Sequence, residues 1–480
     1  MFNTLEPKIL WQYFKEINAI PRGSTREEEI SNYMFAFGKA LKLPTIKDPI
    51  GNVLIQKPAT PGKEACKTVV LQGHLDMVHE KFLDSVFDFD QQGIQMYVDK
   101  DWVRAKETTL GADNGIGVAA IMAVLFSEEI THPPIEALFT VDEEKGMTGA
   151  LSLDKTLIEG SYFLNLDSEE DDVLTIGCAG GVDVEISGLY SQEQLNLDEY
   201  SLQEISISNL TGGHSGVDIH METANAILVF AELLEVLITA TKCRIHTVEI
   251  GSLTNVIPSQ GVAVIAVPVK VLSLFQKKLT EIFEEIRHRF LSKDPFMSIM
   301  LSTKNINGQM MDENTQNELI SGLLNMPNGV YAMTEEIPDL VQTSNNIAVL
   351  NIGNGSYSIK CHVRSSIDSE RDSLANDIQQ LFSFTQVKSV GPYPGWSPKT
   401  NTSLLSTAKK CYHELNDQFP EVKSIHAGLE CGIFNQLFPK MEMISFGPNI
   451  LGAHTVEERV QISSVQKFWK MLTRLLASLA

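Results

Sequence analysis

The sequence is short of the features that mark several whole classes of protein. Its six cysteines (Cys66, Cys178, Cys243, Cys361, Cys411 and Cys431) are scattered, with no CxxC pair. In a chain of 480 residues that usage reads as reduced thiols in a cytoplasmic protein and excludes a secreted disulfide scaffold. The longest apolar run, Val118 to Phe126, has nine residues, far below the roughly 18 to 20 that a membrane-spanning helix needs. The opening Met-Phe-Asn-Thr-Leu-Glu-Pro-Lys has no basic region leading into an apolar stretch, so no signal peptide is expected. Basic residues are few: 38 Lys and Arg stand against 61 Asp and Glu, for a formal charge of −23. A chain this acidic repels phosphate backbones, which argues against nucleic-acid binding and against an anionic membrane surface. No short-period repeat is visible, which excludes a solenoid.

What is there is the composition of an ordinary globular protein, 43% hydrophobic and 21% charged, long enough for two or three domains. The first third alternates β-rich runs (Thr68–Leu71, Ile135–Val141, Tyr162–Leu166) with helical patterns, as in an α/β domain with a largely parallel sheet. After Gly177-Cys-Ala-Gly-Gly181 the order becomes strand, helix, two strands, helix, which is ferredoxin-like. A looser second version follows from Met297 to Phe384. Gly391-Pro-Tyr-Pro-Gly-Trp-Ser-Pro398 marks another boundary, and the α/β style then resumes. The expected organisation is a discontinuous catalytic domain, residues 1–185 plus 391–480, around an inserted α+β domain, 186–390, of two tandem ferredoxin-like units.

The residues able to carry chemistry cluster at predicted strand ends. His74 and Asp76 lie two apart after a buried run, so an imidazole and a carboxylate face the same way. Alone, they read equally as a surface pair. Asp113 sits in Thr109-Leu-Gly-Ala-Asp-Asn-Gly-Ile-Gly117, a glycine-rich turn opening a helix, as a cleft carboxylate or as a local cap. A dinucleotide loop on Gly115-Ile-Gly117 is a weak match, because no clear strand precedes it. Glu143 and Glu144 follow the run Ala137–Val141; on extended backbone they face opposite sides, one free to hold a metal and the other to act as a base. Asp167 is the first acid after another apolar run, and His454 lies in a late glycine-rich loop. Mixed imidazole and carboxylate donors without thiolates suit catalytic zinc, or Mn2+ or Co2+, and their number suits two ions sharing one bridge.

At these positions the chain resembles the co-catalytic di-zinc metallopeptidases related to aminoacylase and glutamate carboxypeptidase. The matching runs are His74-Leu-Asp76, Gly111-Ala-Asp113-Asn114-Gly115, Glu143-Glu144, Leu166-Asp-Ser-Glu-Glu170, Ile425-His-Ala-Gly-Leu-Glu-Cys-Gly432 and His454, nearly end to end. The resemblance implies that Asp113 bridges two zinc ions, with His74 and Asp167 completing one and Glu144 and His454 the other. Asp76 would orient a zinc-bound imidazole, Glu143 would be the general base, and the Asp113–Asn114 peptide would be cis. In the inserted lid and dimerisation domain, His214 of Thr211-Gly-Gly-His-Ser-Gly216 would stabilise the oxyanion. Asn255, Arg364 and Gly428 would hold substrate, Arg364 through a terminal carboxylate. The implied partner is a small unblocked dipeptide, with Xaa-His sequences such as carnosine the favoured class, and a homodimer is allowed. An N-acyl amino-acid amidohydrolase or broader di/tripeptidase shares these metal residues. A non-catalytic zinc-binding protein is a further alternative, disfavoured by Glu143, which such a protein does not need.

Overall fold

The computed structural model describes residues 4–306, 308–334 and 340–480; the opening Met-Phe-Asn lies outside them. The chain divides into two compact units. The first comprises residues 1–178, 396–424 and 429–480, and the second 179–395 with 425–428. The boundaries fall at 178/179 and 395/396 rather than 185/186 and 390/391, because strand Gly180–Leu189 already pairs within the second unit's sheet.

The first unit is built on an eight-stranded sheet. Its centre is parallel: Ile135–Thr140, Val69–His74, Tyr162–Asn165 and Glu442–Ser445 lie side by side in that order. Val69–His74 and Ile135–Thr140 are buried along their whole length. Both sheet faces are therefore covered, which is why these strands read as continuous apolar runs instead of alternating ones. Thr45–Lys47 and Val53–Lys57 extend the sheet antiparallel on one side. A smaller four-stranded sheet joins Met96–Asp99, Trp102–Ala105, Arg459–Gln461 and Ile450–Leu451.

Helix Ala112–Phe126 is buried on nearly every face and packs on Lys8–Ile17 and Ile462–Leu479. A helix apolar all round belongs in a core. Its glycines serve packing rather than a dinucleotide: a Cβ at Gly117 would collide with the carbonyl oxygen of Leu166. The helix thus runs close against the chain that leads into Asp167.

In the second unit both ferredoxin-like units are present, but the chain nests them instead of placing them in tandem. Strands Tyr200–Ser208, Arg244–Ile250, Gly261–Pro268 and Ser298–Lys304, with helices Ala226–Thr241 and Leu272–Phe290, form the inner unit. Ser298–Lys304 pairs with Tyr200–Ser208 and closes that unit; it does not open a second one. The outer unit takes Gly180–Leu189 as its first strand, then Val341–Gly353, Ser356–Ser365 and Gln386–Tyr393. Arg244–Ile250 pairs with Val341–Gly353 and makes one continuous sheet of the two. All six cysteines are free, and no described helix is long and apolar enough to cross a membrane.

Candidate active site

The parallel strands deliver their functional residues at their C-terminal ends, where open α/β sheets place their sites. Strand Val69–His74 ends on His74 itself, whose side chain is 1% exposed. Ile135–Thr140 leads to Glu143 and Glu144, Tyr162–Asn165 to Asp167, and Glu442–Ser445 to the loop carrying His454.

Asp113 is central to the arrangement. Its Oδ1 lies 3.1 Å from Nε2 of His74 and its Oδ2 3.2 Å from Nε2 of His454. His74 Nε2 is also 3.3 Å from Oδ1 of Asp167, and His454 Nε2 is 2.9 Å from Oε2 of Glu144. Two sets of donor atoms result, His74–Asp113–Asp167 and Asp113–Glu144–His454, each within 4.8 Å; His74, Glu143 and Glu144 form a third. The Asp113–Asn114 peptide is cis.

Charge sharpens this picture. Burial opposes a charged His74, but Asp167, Asp113 and Asp76 outweigh it and hold the imidazole protonated well above its usual range. Hydrogen bonds to Asp113 and Glu144 push His454 up to about 11. Burial raises Glu143, and the charge of Glu144 adds to it. Within the chain, the two imidazoles carry the positive charge that the surrounding carboxylates demand. Glu144 Oε1 is buried with no hydrogen bond among the described residues; Asp167 Oδ1 likewise accepts none despite its 3.3 Å approach to His74. Unsatisfied buried carboxylate oxygens beside two imidazoles, with excess negative charge, are a donor set suited to divalent cations.

Asp76 lies against this group, fully buried, with Oδ1 3.4 Å from Nδ1 of His74. The backbone after Val141 is not extended as expected. Asp142 takes φ +57° and starts a short helix, Glu143–Gly146. Glu143 and Glu144 therefore sit on one helical turn, and both their amides donate to Asp76.

In the second unit, Arg364 is 4% exposed. Its guanidinium donates to Ser215 Oγ and to the Tyr393 hydroxyl at 3.0 Å, with no carboxylate partner among the described residues. The main-chain oxygen of Asn255 accepts the Ser215 amide at 2.8 Å, and the Asn255 side chain is exposed. His214 Nδ1 accepts the amides of Gly216 and Val217 at 3.2 and 3.1 Å, so its Nε2 carries the proton and is a donor. Gly428 belongs to the segment 425–428 that joins this unit. Beside it His426 is buried, with Nε2 2.7 Å from Ser344 Oγ; burial and Arg364 push it down to about 3.

Three buried charged residues near the first unit's site were not singled out from sequence. Glu430 accepts from Gln72 and Thr140 at 2.6 and 2.7 Å, and burial pushes it up to about 8. Arg22 and Glu458 bracket the Asp113 loop. Glu458 stands in a Glu-Glu pair that reads as solvated surface, and Arg22 in a stretch with no motif.

A parallel α/β core ending in paired imidazole–carboxylate donor sets is suited to hydrolytic chemistry with divalent metal ions. Residues 70–478 match the model of Peptidase family M20/M25/M40, and the chain belongs to that family. It is 36% identical over 474 residues to the cytosol non-specific dipeptidase of Escherichia coli (strain K12), covering 98% of each chain. It is similar to the crystal structure of aminoacylhistidine dipeptidase from Vibrio alginolyticus, with TM-score 0.86, 36% identity, and 99% and 97% of the two chains covered. A tripeptidase from Staphylococcus aureus shares the fold at TM-score 0.57 and 15% identity, over 99% of each chain.

Proposed function

We propose that this protein is a cytoplasmic dipeptidase that uses two divalent metal ions, zinc being favoured with Mn2+ or Co2+ as substitutes, to hydrolyse unblocked dipeptides. The observation that carries this reading is the pair of donor sets sharing Asp113, with Glu143 placed beside them. His74, Asp113 and Asp167 would hold one ion, and Asp113, Glu144 and His454 the other. Bound zinc would supply a water of lowered pKa and polarise the scissile carbonyl.

The chain's own residues do the rest. Glu143 takes a proton from the attacking water and returns it to the leaving amine. Asp76 orients His74 and holds the turn that presents Glu143. His214, fixed as an Nε2–H donor, stabilises the developing oxyanion. Arg364, a buried guanidinium whose partners among the described residues are hydroxyls, takes the dipeptide's terminal carboxylate. The resemblance to the family supports substrate-holding roles for Asn255 and Gly428 as well.

The names of the two relatives at 36% identity differ in breadth, one non-specific and one aminoacylhistidine. Within that range Xaa-His dipeptides are the favoured class. The test is hydrolysis of β-Ala-His and a panel of other dipeptides by chelated protein resupplied with Zn2+. Metal-restored cleavage of β-Ala-His is expected. Silence toward β-Ala-His with cleavage of other dipeptides replaces the Xaa-His preference with a broader one, and cleavage of N-acyl amino acids alone overturns the dipeptidase reading.

A further inference from the structure

The loop that presents Asp113 is gripped from both sides by buried charges distant in sequence. Glu458 Oε2 accepts the amides of Leu110 and Gly111 at 2.7 and 2.9 Å, and its Oε1 those of Ala112 and Asp113 at 2.7 and 3.3 Å. Glu458 is 2% exposed. Arg22, 1% exposed, takes the carbonyl side: Nη2 donates to Gly111 at 2.5 Å, and Nη1 to Leu75 and Asp76 at 3.1 and 2.9 Å. Gly111 therefore gives its N–H to an anion and its C=O to a cation. Its φ of +69° and the lack of room for a Cβ beside Arg22 explain why glycine stands there.

These contacts tie together three segments. Glu458 closes the loop that carries His454, Leu110–Asp113 carries the shared carboxylate, and Leu75–Asp76 follows His74. A cap for helix Ala112–Phe126 needs one or two acceptor contacts. Four consecutive amides on one carboxylate, answered by a guanidinium on the same loop's carbonyl, fix a loop's position as well as satisfying its donors.

We propose that Glu458 and Arg22 are positioning residues that set the spacing of Asp113 from His74 and His454, and so determine metal affinity. The proposal rests on the reading of Asp113 as a shared metal ligand. Outer partners of metal ligands typically change metal affinity or activity by about 10- to 100-fold when removed.

The experiment is Co2+ binding to the full-length chain, read by visible absorption and by competition with a chromogenic chelator. Glu458→Gln keeps the shape but turns an NH2 toward two of the amide donors. It is expected to weaken Co2+ binding by about 10- to 100-fold and to shift the visible bands, with far-ultraviolet circular dichroism unchanged. Glu458→Asp, which keeps the charge on a shorter arm, should recover part of the affinity. In the Zn2+ enzyme kcat should fall while KM stays nearly constant. If Glu458→Gln binds Co2+ with wild-type affinity and spectrum and only melts earlier, Glu458 is a helix cap and the positioning role is wrong. Should that variant fail to fold, Gly111→Ala disturbs the same peptide from the Arg22 side. The same loss of affinity is expected, and wild-type affinity in folded Gly111→Ala overturns the proposal. A wild-type chain that takes up no Co2+ overturns the metal reading itself, an outcome distinct from unequal binding by wild type and variants.

Discussion

The Oδ1 atom of Asp76 accepts the backbone N–H of Glu143 at 3.0 Å. The same carboxylate takes the Glu144 amide through Oδ2 at 3.2 Å and the Ser24 hydroxyl at 2.8 Å, while Oδ1 lies 3.4 Å from His74 Nδ1. One buried acid thus supports both the imidazole and the turn that carries the proposed base. Asp76→Asn preserves volume and removes the charge. It should lower kcat by about 10- to 100-fold with an unchanged circular dichroism spectrum. Steady-state kinetics with metal analysis checks this; wild-type kcat in Asp76→Asn removes Asp76 from the machinery.

Glu143→Ala should keep its metal and fold and lose at least about 100-fold in kcat, the scale of a general base. Metal content by atomic emission and turnover of β-Ala-His are the two readouts. Near-full activity with two bound zinc ions assigns the base elsewhere.

Arg364→Ala should raise KM for free-carboxylate dipeptides far more than it lowers kcat, because it removes binding made equally in ground and transition states. C-terminally amidated analogues, poor substrates to begin with, should be hurt little. Equal damage to both series shows that Arg364 does not read the carboxylate.

His426 gives the second unit an acid-sensitive point. Its folded value, pushed down to about 3, lies below the ordinary value near 6.5. The unfolded chain therefore binds the proton first, so stability falls as pH drops below about 6.5 and levels off near the folded value. Between pH 8 and pH 5 the loss from this one group is roughly 1–2 kcal/mol. Urea midpoints of wild type and His426→Asn across that range are the check. The wild type should lose more on acidification, and parallel curves would show that His426 titrates normally.

Most of the proposed site residues were legible because they follow apolar runs that read as buried strands, and such a strand must stop where polar groups begin. His74, Asp167 and the Glu143-Glu144 pair show this. The turn at Asp142 was not legible, since Asp76, far back in the chain, holds the amides that define it. Glu458 was hidden for the same reason: its four partners lie more than 340 residues away in sequence, and nothing local marks it as buried. Alternation and helix periodicity revealed both ferredoxin-like units, yet which strand closes which is settled by long-range pairing. Ser298–Lys304 carries no local sign that its partner is Tyr200–Ser208.

The nested second unit has a consequence for the nascent chain. Strand Gly180–Leu189 emerges from the ribosome with no outer-unit neighbour until Ser356–Ser365 and Gln386–Tyr393 are made. The inner unit, Tyr200 to Lys304, is complete well before that and can fold first as its pieces appear. The catalytic sheet waits longer still, for Glu442–Ser445 to enter beside Tyr162–Asn165. His454 and Glu458 are made after that strand. A chain released before His454 is made thus has the second unit's scaffold but lacks one residue of the proposed Asp113–Glu144–His454 donor set.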